Sequence, residues 1–141
     1  MAIHRNDPDR LARPTALPIV CACVFRFPMR KGDLGTGKNA ATPKPNAPAY
    51  LTGKPDCDKL MRSTLDSVTA SGSVWLDDGQ AIILGARVYV PPGSPVLSTI
   101  LLGVDRYEII GAWSTLLTEA EAAVHDAKEA KRPRGEKERA A

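Results

Sequence analysis

The feature that most constrains the fold is an apolar run at residues 17–27. In a β-strand, successive side chains point to opposite faces. Here one face would carry Ile19, Cys21, Cys23, Phe25 and Phe27, and the other would carry Val20, Ala22 and Val24. A strand that is apolar on both faces needs cover on both sides, so the sequence predicts a central strand with other elements packed above and below it.

Two further strands are predicted downstream. In residues 80–90, apolar side chains at every second position predict a strand with the buried face Ile82, Leu84, Ala86, Val88 and Val90. A Pro- and Gly-rich turn follows, and residues 96–104 then predict a third strand, antiparallel to the second. Residues 105–113 fit either a short edge strand or a segment packed beneath a helix.

A late helix is predicted at residues 114–131. Thr118-Glu119-Ala120-Glu121 resembles a capping box. The expected apolar stripe is Leu116, Leu117, Ala120, Val124 and Ala127. This helix would either pack on the same sheet face as the earlier helix described next or extend an interface.

The earlier helix lies in residues 54–80, KPDCDKLMRSTLDSVTASGSVWLDDGQ. Its apolar face is Leu60, Met61, Leu65 and Val68, at the spacing of three to four residues that is typical of a helix. Asp58, Arg62 and Asp66 recur every fourth residue and therefore stack on another face. Asp56 is placed to cap the helix start, and Gly72 is a plausible end.

This segment carries two acidic pairs, Asp56 with Asp58 at the helix start and Asp77 with Asp78 in a turn. One interpretation is structural, because acids favour helix N-termini and Asp-Asp-Gly is an ordinary turn. The other is a metal site, because clustered carboxylates repel unless they are protonated, solvated or bound to a cation. Oxygen ligands with no nearby His or Cys pair favour Mg²⁺ or Mn²⁺ over Zn²⁺.

The spacing Lys54-Pro55-Asp56-x-Asp58-x-Leu60, then Leu65-Asp66, then Trp75-Leu76-Asp77-Asp78-x-Gln80, resembles the RusA family of Holliday-junction endonucleases. The clear match covers residues 54–80, and a looser one extends over residues 17–104. The resemblance implies that Asp56, Asp58 and Asp78 are the essential metal-binding acids, with Asp77 as a neighbour or additional ligand.

Two residues depart from the family pattern, in which an Asn follows the second Asp and a catalytic Lys follows later. Lys59 stands at the Asn position, and Arg62 stands at the Lys position. Arginine keeps the positive charge but cannot donate a proton, so the expected role of Arg62 is charge stabilisation. Family members begin with a strand and a long helix that we expect to be missing or shortened here.

Residues 28–54 form a predicted long loop that is rich in Pro, Gly and Lys. It imitates a phosphate-binding loop at Gly32 to Lys38, but Asn39 and Pro43 argue against nucleotide binding. Instead we expect the loop to contact a DNA backbone, with a solvated linker as the alternative. The residues predicted to bind DNA are Lys31, Lys38, Lys44, Lys54 and, from the second predicted strand, Arg87.

The 141 residues suit one domain, which we place at residues 17–131 between ragged or disordered ends at 1–16 and 132–141. Together these elements predict an α+β fold: a small mixed β-sheet of three to four strands, one acidic-site helix packed on it, and a C-terminal helix. Three cysteines are too few for a disulfide framework and indicate a reducing, cytoplasmic setting. No membrane segment is expected.

The expected function is a Mg²⁺-dependent endodeoxyribonuclease that resolves branched DNA in recombination and repair, with Mn²⁺ as an alternative ion. The resemblance also implies a homodimer that places two sites on opposite strands of a four-way junction. One alternative is a degenerate relative that binds DNA or a partner without cutting. Another is a domain whose carboxylates are only structural.

Overall fold

The structure, a computed structural model, describes the backbone of residues 2–4 and all of residues 14–130. Its four strands are β1 (Ala2–His4), β2 (Ile19–Pro28), β3 (Ala81–Val90) and β4 (Ser98–Gly103). They form one sheet in the order β1-β4-β2-β3. The pairs β2–β3 and β1–β4 are parallel and β2–β4 is antiparallel, so the predicted α+β fold with a small mixed sheet is confirmed.

Strand β2 is the central strand that its sequence predicts. Its residues are buried from Ile19 through Phe25, because each face is covered by a different helix. On one face, Cys21 and Cys23 pack with Met61 and Leu65 of helix α1 (Cys57–Ser71). On the other face, Val20 and Ala22 pack with Leu101 and Ile109, the latter from helix α2 (Arg106–Glu129).

The two helices therefore lie on opposite faces of the sheet. The alternative in which the late helix shares the face of α1 is wrong, and the other, in which it extends an interface, stays a prediction. The reason is that the inward side chains of β2 are apolar on both faces, and each face needs its own cover. Because β2 and β3 are parallel neighbours, the chain must cross between them, and α1 makes this crossover.

Strand β3 lies at an edge of the sheet, which changes its burial. Its last three residues, Val88 to Val90, are buried, but Ile82 and Ile83 are 45% and 46% exposed. The prediction that Ile82 belongs to a buried face is therefore wrong, because its strand has a neighbouring strand on one side only. Strand β4 runs antiparallel to β3, as expected, but β2 separates the two.

Helix α2 begins earlier than the sequence analysis expects. Asp105 is its N-cap, and its carboxylate accepts hydrogen bonds from the backbone N–H groups of Tyr107 (3.0 Å) and Glu108 (3.2 Å). Thr118 lies inside the helix and its hydroxyl donates to the Ser114 carbonyl, so the predicted capping box there is wrong. The predicted apolar stripe is confirmed, with Val124 buried and its other four members half-buried.

The chain ends need one correction. We expect no strand in residues 1–16, but Ala2–His4 pairs with β4 in parallel. Such a three-residue strand carries too little periodicity to be found from sequence. The predicted tail at 132–141 lies outside the described residues. In the part of the chain that the structure describes, no helix is long and apolar enough to cross a membrane.

The long loop at residues 28–54 is ordered and packed on α2. Met29, Ala47 and Leu51 form a buried cluster with Tyr89 of β3 and Val124 of α2. Three hydrogen bonds fix the loop further: Lys128 donates to the Ala47 carbonyl, Tyr50 donates to Glu121, and Lys44 donates to the Gly32 carbonyl. Burial and the bond to Glu121 raise the pKa of Tyr50 to about 12.

Candidate functional site: an acidic groove between helix α1 and the Asp77–Gln80 turn

Helix α1 presents its acids as the sequence predicts. Its buried side is Met61, Thr64, Leu65 and Val68, and Leu60 is half-buried. Gly72 ends the helix at a φ of 66°, a left-handed conformation that favours glycine. Asp58, Arg62 and Asp66 are exposed along the adjacent face.

The second acidic pair lies in a tight 3₁₀ turn, Asp78–Gln80, directly before β3. Asp77 is the N-cap of this turn, and its carboxylate accepts from the Gly79 N–H at 3.3 Å. Gln80 closes the turn, since its side-chain carbonyl accepts from the N–H groups of Leu76 and Asp77, both at 3.0 Å.

The amide nitrogen of Gln80 connects the turn to the start of β2. It donates to the carbonyls of Thr15 (2.7 Å) and Leu17 (3.0 Å). A single side chain therefore joins the Asp77–Asp78 turn to the segment that enters the central strand. Gln80 belongs to the RusA-like spacing, and its four hydrogen bonds hold the turn together and join it to residues 15–17.

The helix face and the turn enclose a groove of about 550 Å³. Four charged side chains line it: Asp58, Arg62 and Asp66 from α1 and Asp78 from the turn. Its apolar floor and walls are Cys57, Met61, Leu65 and Ile83. Two predicted acids that are 20 residues apart in sequence, Asp58 and Asp78, thus share one groove with the predicted Arg62.

The charges in this groove act on Asp78. A hydrogen bond with the Asp77 carboxyl group, partial desolvation, and the negative charges of Asp77 and Asp66 raise the pKa of Asp78. Arg62 opposes this by stabilising the ionised form. Asp78 is therefore the carboxyl group that senses its neighbour Asp77 and two of the charged residues that line the groove with it, Asp66 and Arg62.

Asp66 is the acid that the sequence analysis did not assign to the site. Its position four residues after Arg62 and eight after Asp58 is the signal that could have found it, because residues at this spacing share a helix face. Its place in the groove and its effect on the pKa of Asp78 make it part of the site's electrostatics.

The other two predicted ligands lie differently. Asp56 is the N-cap of α1, but its side chain makes no capping hydrogen bond, and its Oδ2 lies 3.7 Å from Lys59 Nζ. It is not among the residues that line the groove. Asp77 uses one carboxylate oxygen to hold its own turn.

The chemistry of the acidic side chains suits a divalent ion, but their arrangement does not. Exposed carboxylates are the hard oxygen ligands that Mg²⁺ takes in proteins. Within residues 14–130, however, no three Asp, Glu, His or Cys side chains are grouped closely enough to hold an ion. As arranged in this structure the acids do not fit one, so shared coordination by Asp56, Asp58 and Asp78 stays a prediction.

The predicted DNA-binding residues fall into two groups. Lys31, Lys38, Lys44 and Lys54 are exposed on the long loop, and one of them, Lys44, donates to the Gly32 carbonyl. Arg87 is only half-exposed, and its guanidinium donates to three backbone carbonyls of the same loop. Contacts of these five residues with DNA stay predictions.

Comparison of the chain with protein-family models, with characterised proteins and with solved structures finds no match.

Proposed function

We propose that this protein is a Mg²⁺-dependent endodeoxyribonuclease that acts on branched DNA, as the likeness of residues 54–80 to the RusA family suggests. The observation that carries the proposal is the shared groove of Asp58, Asp78 and Arg62. These residues come from the two motif segments that the resemblance singles out, and a nuclease of this kind needs acids and a cation in one place.

The ion would be held by Asp58 and Asp78, with Asp56 and Asp77 as the further predicted ligands. Asp58, Asp77 and Asp78 are exposed and Asp56 is half-exposed, and such side chains change rotamer within nanoseconds. A bound Mg²⁺ would supply a water of lowered pKa and a contact to a phosphate oxygen.

The chain's own charged groups supply the rest of the chemistry. Arg62 stabilises negative charge that develops on the phosphoryl oxygens, because its guanidinium stays protonated and presents several N–H donors. Asp66 holds Arg62 in a field of opposite charge, at the next helical turn. Water donates the proton to the leaving oxygen, because Arg62 cannot give up a proton.

The exposed lysines of the long loop position the DNA backbone without reading its sequence. A homodimer that presents two grooves to a four-way junction is part of the proposal. A reducing, cytoplasmic setting is part of it too, in keeping with three free cysteines.

The test is cleavage of a synthetic four-way junction. We expect Mg²⁺-dependent nicking of the junction in preference to a linear duplex of the same sequence, lost in Asp58→Asn and Asp78→Asn. Arg62→Lys should retain activity and Arg62→Gln should lose about 10²-fold or more. Asp126→Asn removes an exposed carboxylate on α2 and is the matched control, which should cut like the wild type.

A second candidate is a relative that binds branched DNA without cutting it. The absence of a group of three potential ligands within residues 14–130 favours it. Junction binding that is unchanged by Mg²⁺ and by Asp78→Asn, with no nicking over a range of Mg²⁺ and Mn²⁺ concentrations, would establish this candidate and overturn the nuclease.

A further inference from the structure

The side chain of Arg87 makes an unusual set of contacts. Its Nη1 donates to the carbonyl oxygens of Gly53 (2.5 Å) and Pro55 (2.6 Å), and its Nη2 donates to that of Leu51 (3.4 Å). A guanidinium offers several donors in a rigid fork, which suits it to hold alternate carbonyls of one extended segment.

The backbone of the same segment is also tied to β3. The Leu51 N–H donates to the Arg87 carbonyl at 3.3 Å, and the Tyr89 N–H donates to the Ala49 carbonyl at 2.8 Å. Residues 49–51 thus cover the edge of β3 near its end, and the Arg87 side chain extends this attachment to Pro55. The next residue is Asp56, the N-cap of α1.

Arg87 therefore links the segment before one acidic pair to the strand that follows the other. It lies on β3, the strand that begins directly after the Asp78–Gln80 turn. Its partners lie in the segment that leads directly into Asp56 and Asp58. The direction in which this segment enters α1 determines where the carboxylates of the first helical turn stand relative to Asp78.

The occupied donors also bear on the predicted phosphate contact. To bind a phosphate, the Arg87 guanidinium would have to break its hydrogen bonds with the backbone carbonyls of residues 51, 53 and 55. Charge-assisted hydrogen bonds of this kind are the stronger ones in proteins. Of the loop lysines, Lys44 would give up a single carbonyl, that of Gly32, whereas Arg87 would give up three, so the lysines are the better phosphate contacts.

We propose that Arg87 is a positioning residue that fixes residues 51–55 and thereby holds the start of helix α1 in register with the Asp78 turn. This inference rests on the proposed nuclease function for its catalytic consequence. The claim about the loop itself can be tested without activity.

The test uses three variants. Arg87→Met removes every donor and keeps the length of the side chain, and Arg87→Lys keeps the charge but loses the fork. Lys38→Met removes an exposed charge from the same loop and is the matched control.

The first measurement is hydrogen exchange without DNA or metal. We expect exchange in residues 51–60 to rise about tenfold in Arg87→Met and in Arg87→Lys, with α2 unchanged and Lys38→Met like the wild type.

The second measurement is binding of the four-way junction in EDTA at several salt concentrations. A lost phosphate contact lowers the slope of log Kd against log salt by about 0.9. We expect that loss in Lys38→Met and an unchanged slope in Arg87→Met. In Mg²⁺, both Arg87 variants should lower kcat about tenfold or more and leave KM within about twofold, because the site is displaced and the DNA contacts are kept.

The outcomes separate the two proposals. Wild-type protein that neither binds nor cuts the junction overturns the nuclease, and hydrogen exchange still decides the role of Arg87. Unchanged exchange at residues 51–60 in Arg87→Met overturns the positioning role. So does an Arg87→Met variant with a reduced salt slope, or an Arg87→Lys variant that cuts like the wild type, because a phosphate contact needs only the charge.

Discussion

Replacing Gln80 by Met should destabilise the protein by about 2.5 kcal/mol, because Met fills the same space and makes none of the four hydrogen bonds of Gln80. The bonds to Leu76, Asp77 and Leu17 are exposed to solvent, and water can replace the lost partner, so each contributes about 0.5 kcal/mol. The 2.7 Å bond to the Thr15 carbonyl is partly buried and contributes about 1 kcal/mol.

Urea unfolding followed by tryptophan fluorescence measures this loss, since Trp75 is 2% exposed and lies beside the turn. With an m-value of about 1.5 kcal/mol/M, the midpoint should fall by about 1.7 M. Gln80→Glu is the matched control. It keeps the carbonyl acceptor, loses the two donated bonds, and should cost about half as much. A midpoint shift under about 0.3 M for Gln80→Met, or equal shifts for the two variants, would refute the reasoning.

Three further predictions concern α2, the helix–strand contact and the groove. Asp105→Ala should cost about 1 kcal/mol in urea unfolding, because two backbone N–H groups at the start of α2 lose their acceptor; a cost near zero would contradict the cap. Gly85→Ala should lower the free energy of unfolding by about 1–2 kcal/mol, because the new Cβ would lie 2.9 Å from the sulfur of the buried Met61. A variant as stable as the wild type would show that Met61 moves aside at no cost. Asp66→Asn should lower the pKa of Asp78, measured by carboxyl NMR titration, because one negative neighbour is removed. The raised pKa of Asp78 means that its protonated form is favoured by folding, so its contribution to stability is present in acid and is lost as pH rises through that pKa. Asp66→Asn should reduce the stability that protonated Asp78 contributes in acid. An unchanged pKa of Asp78 would show that the two carboxyl groups lie too far apart to interact.

Much of the framework could be predicted from sequence because it depends on local periodicity. Strand β2 and helix α1 follow from strong apolar patterns, and Gly72 ends α1 where a left-handed residue is needed. The placement of Asp58 with Asp78 follows less directly. It depends on α1 crossing from β2 to the parallel β3, because the helix then runs beside the edge strand β3 and the turn that precedes it.

The errors arise where tertiary contacts override local signals. Ile82 alternates like a buried residue, but β3 is an edge strand and Ile82 is 45% exposed. The sequence predicts a start of α2 at residue 114 and a capping box at Thr118, whereas Asp105 makes the capping bonds and Thr118 lies inside the helix. Arg87 looks like any exposed strand arginine, and its partners lie more than 30 residues away in sequence, beyond the reach of any local pattern.

The most direct test of the central claim is a Mg²⁺ titration that is followed by the carboxyl ¹³C shifts of the aspartates. The account predicts that Asp58 and Asp78 shift together along one binding curve, while Asp33 and Asp126 outside the groove do not move, and that Asp58→Asn weakens the response at Asp78. Shifts of equal size at all four residues would contradict a metal site in the groove. So would the absence of shifts at Asp58 and Asp78 up to about 20 mM Mg²⁺, a concentration roughly tenfold above the dissociation constants of the weakest metal sites in proteins.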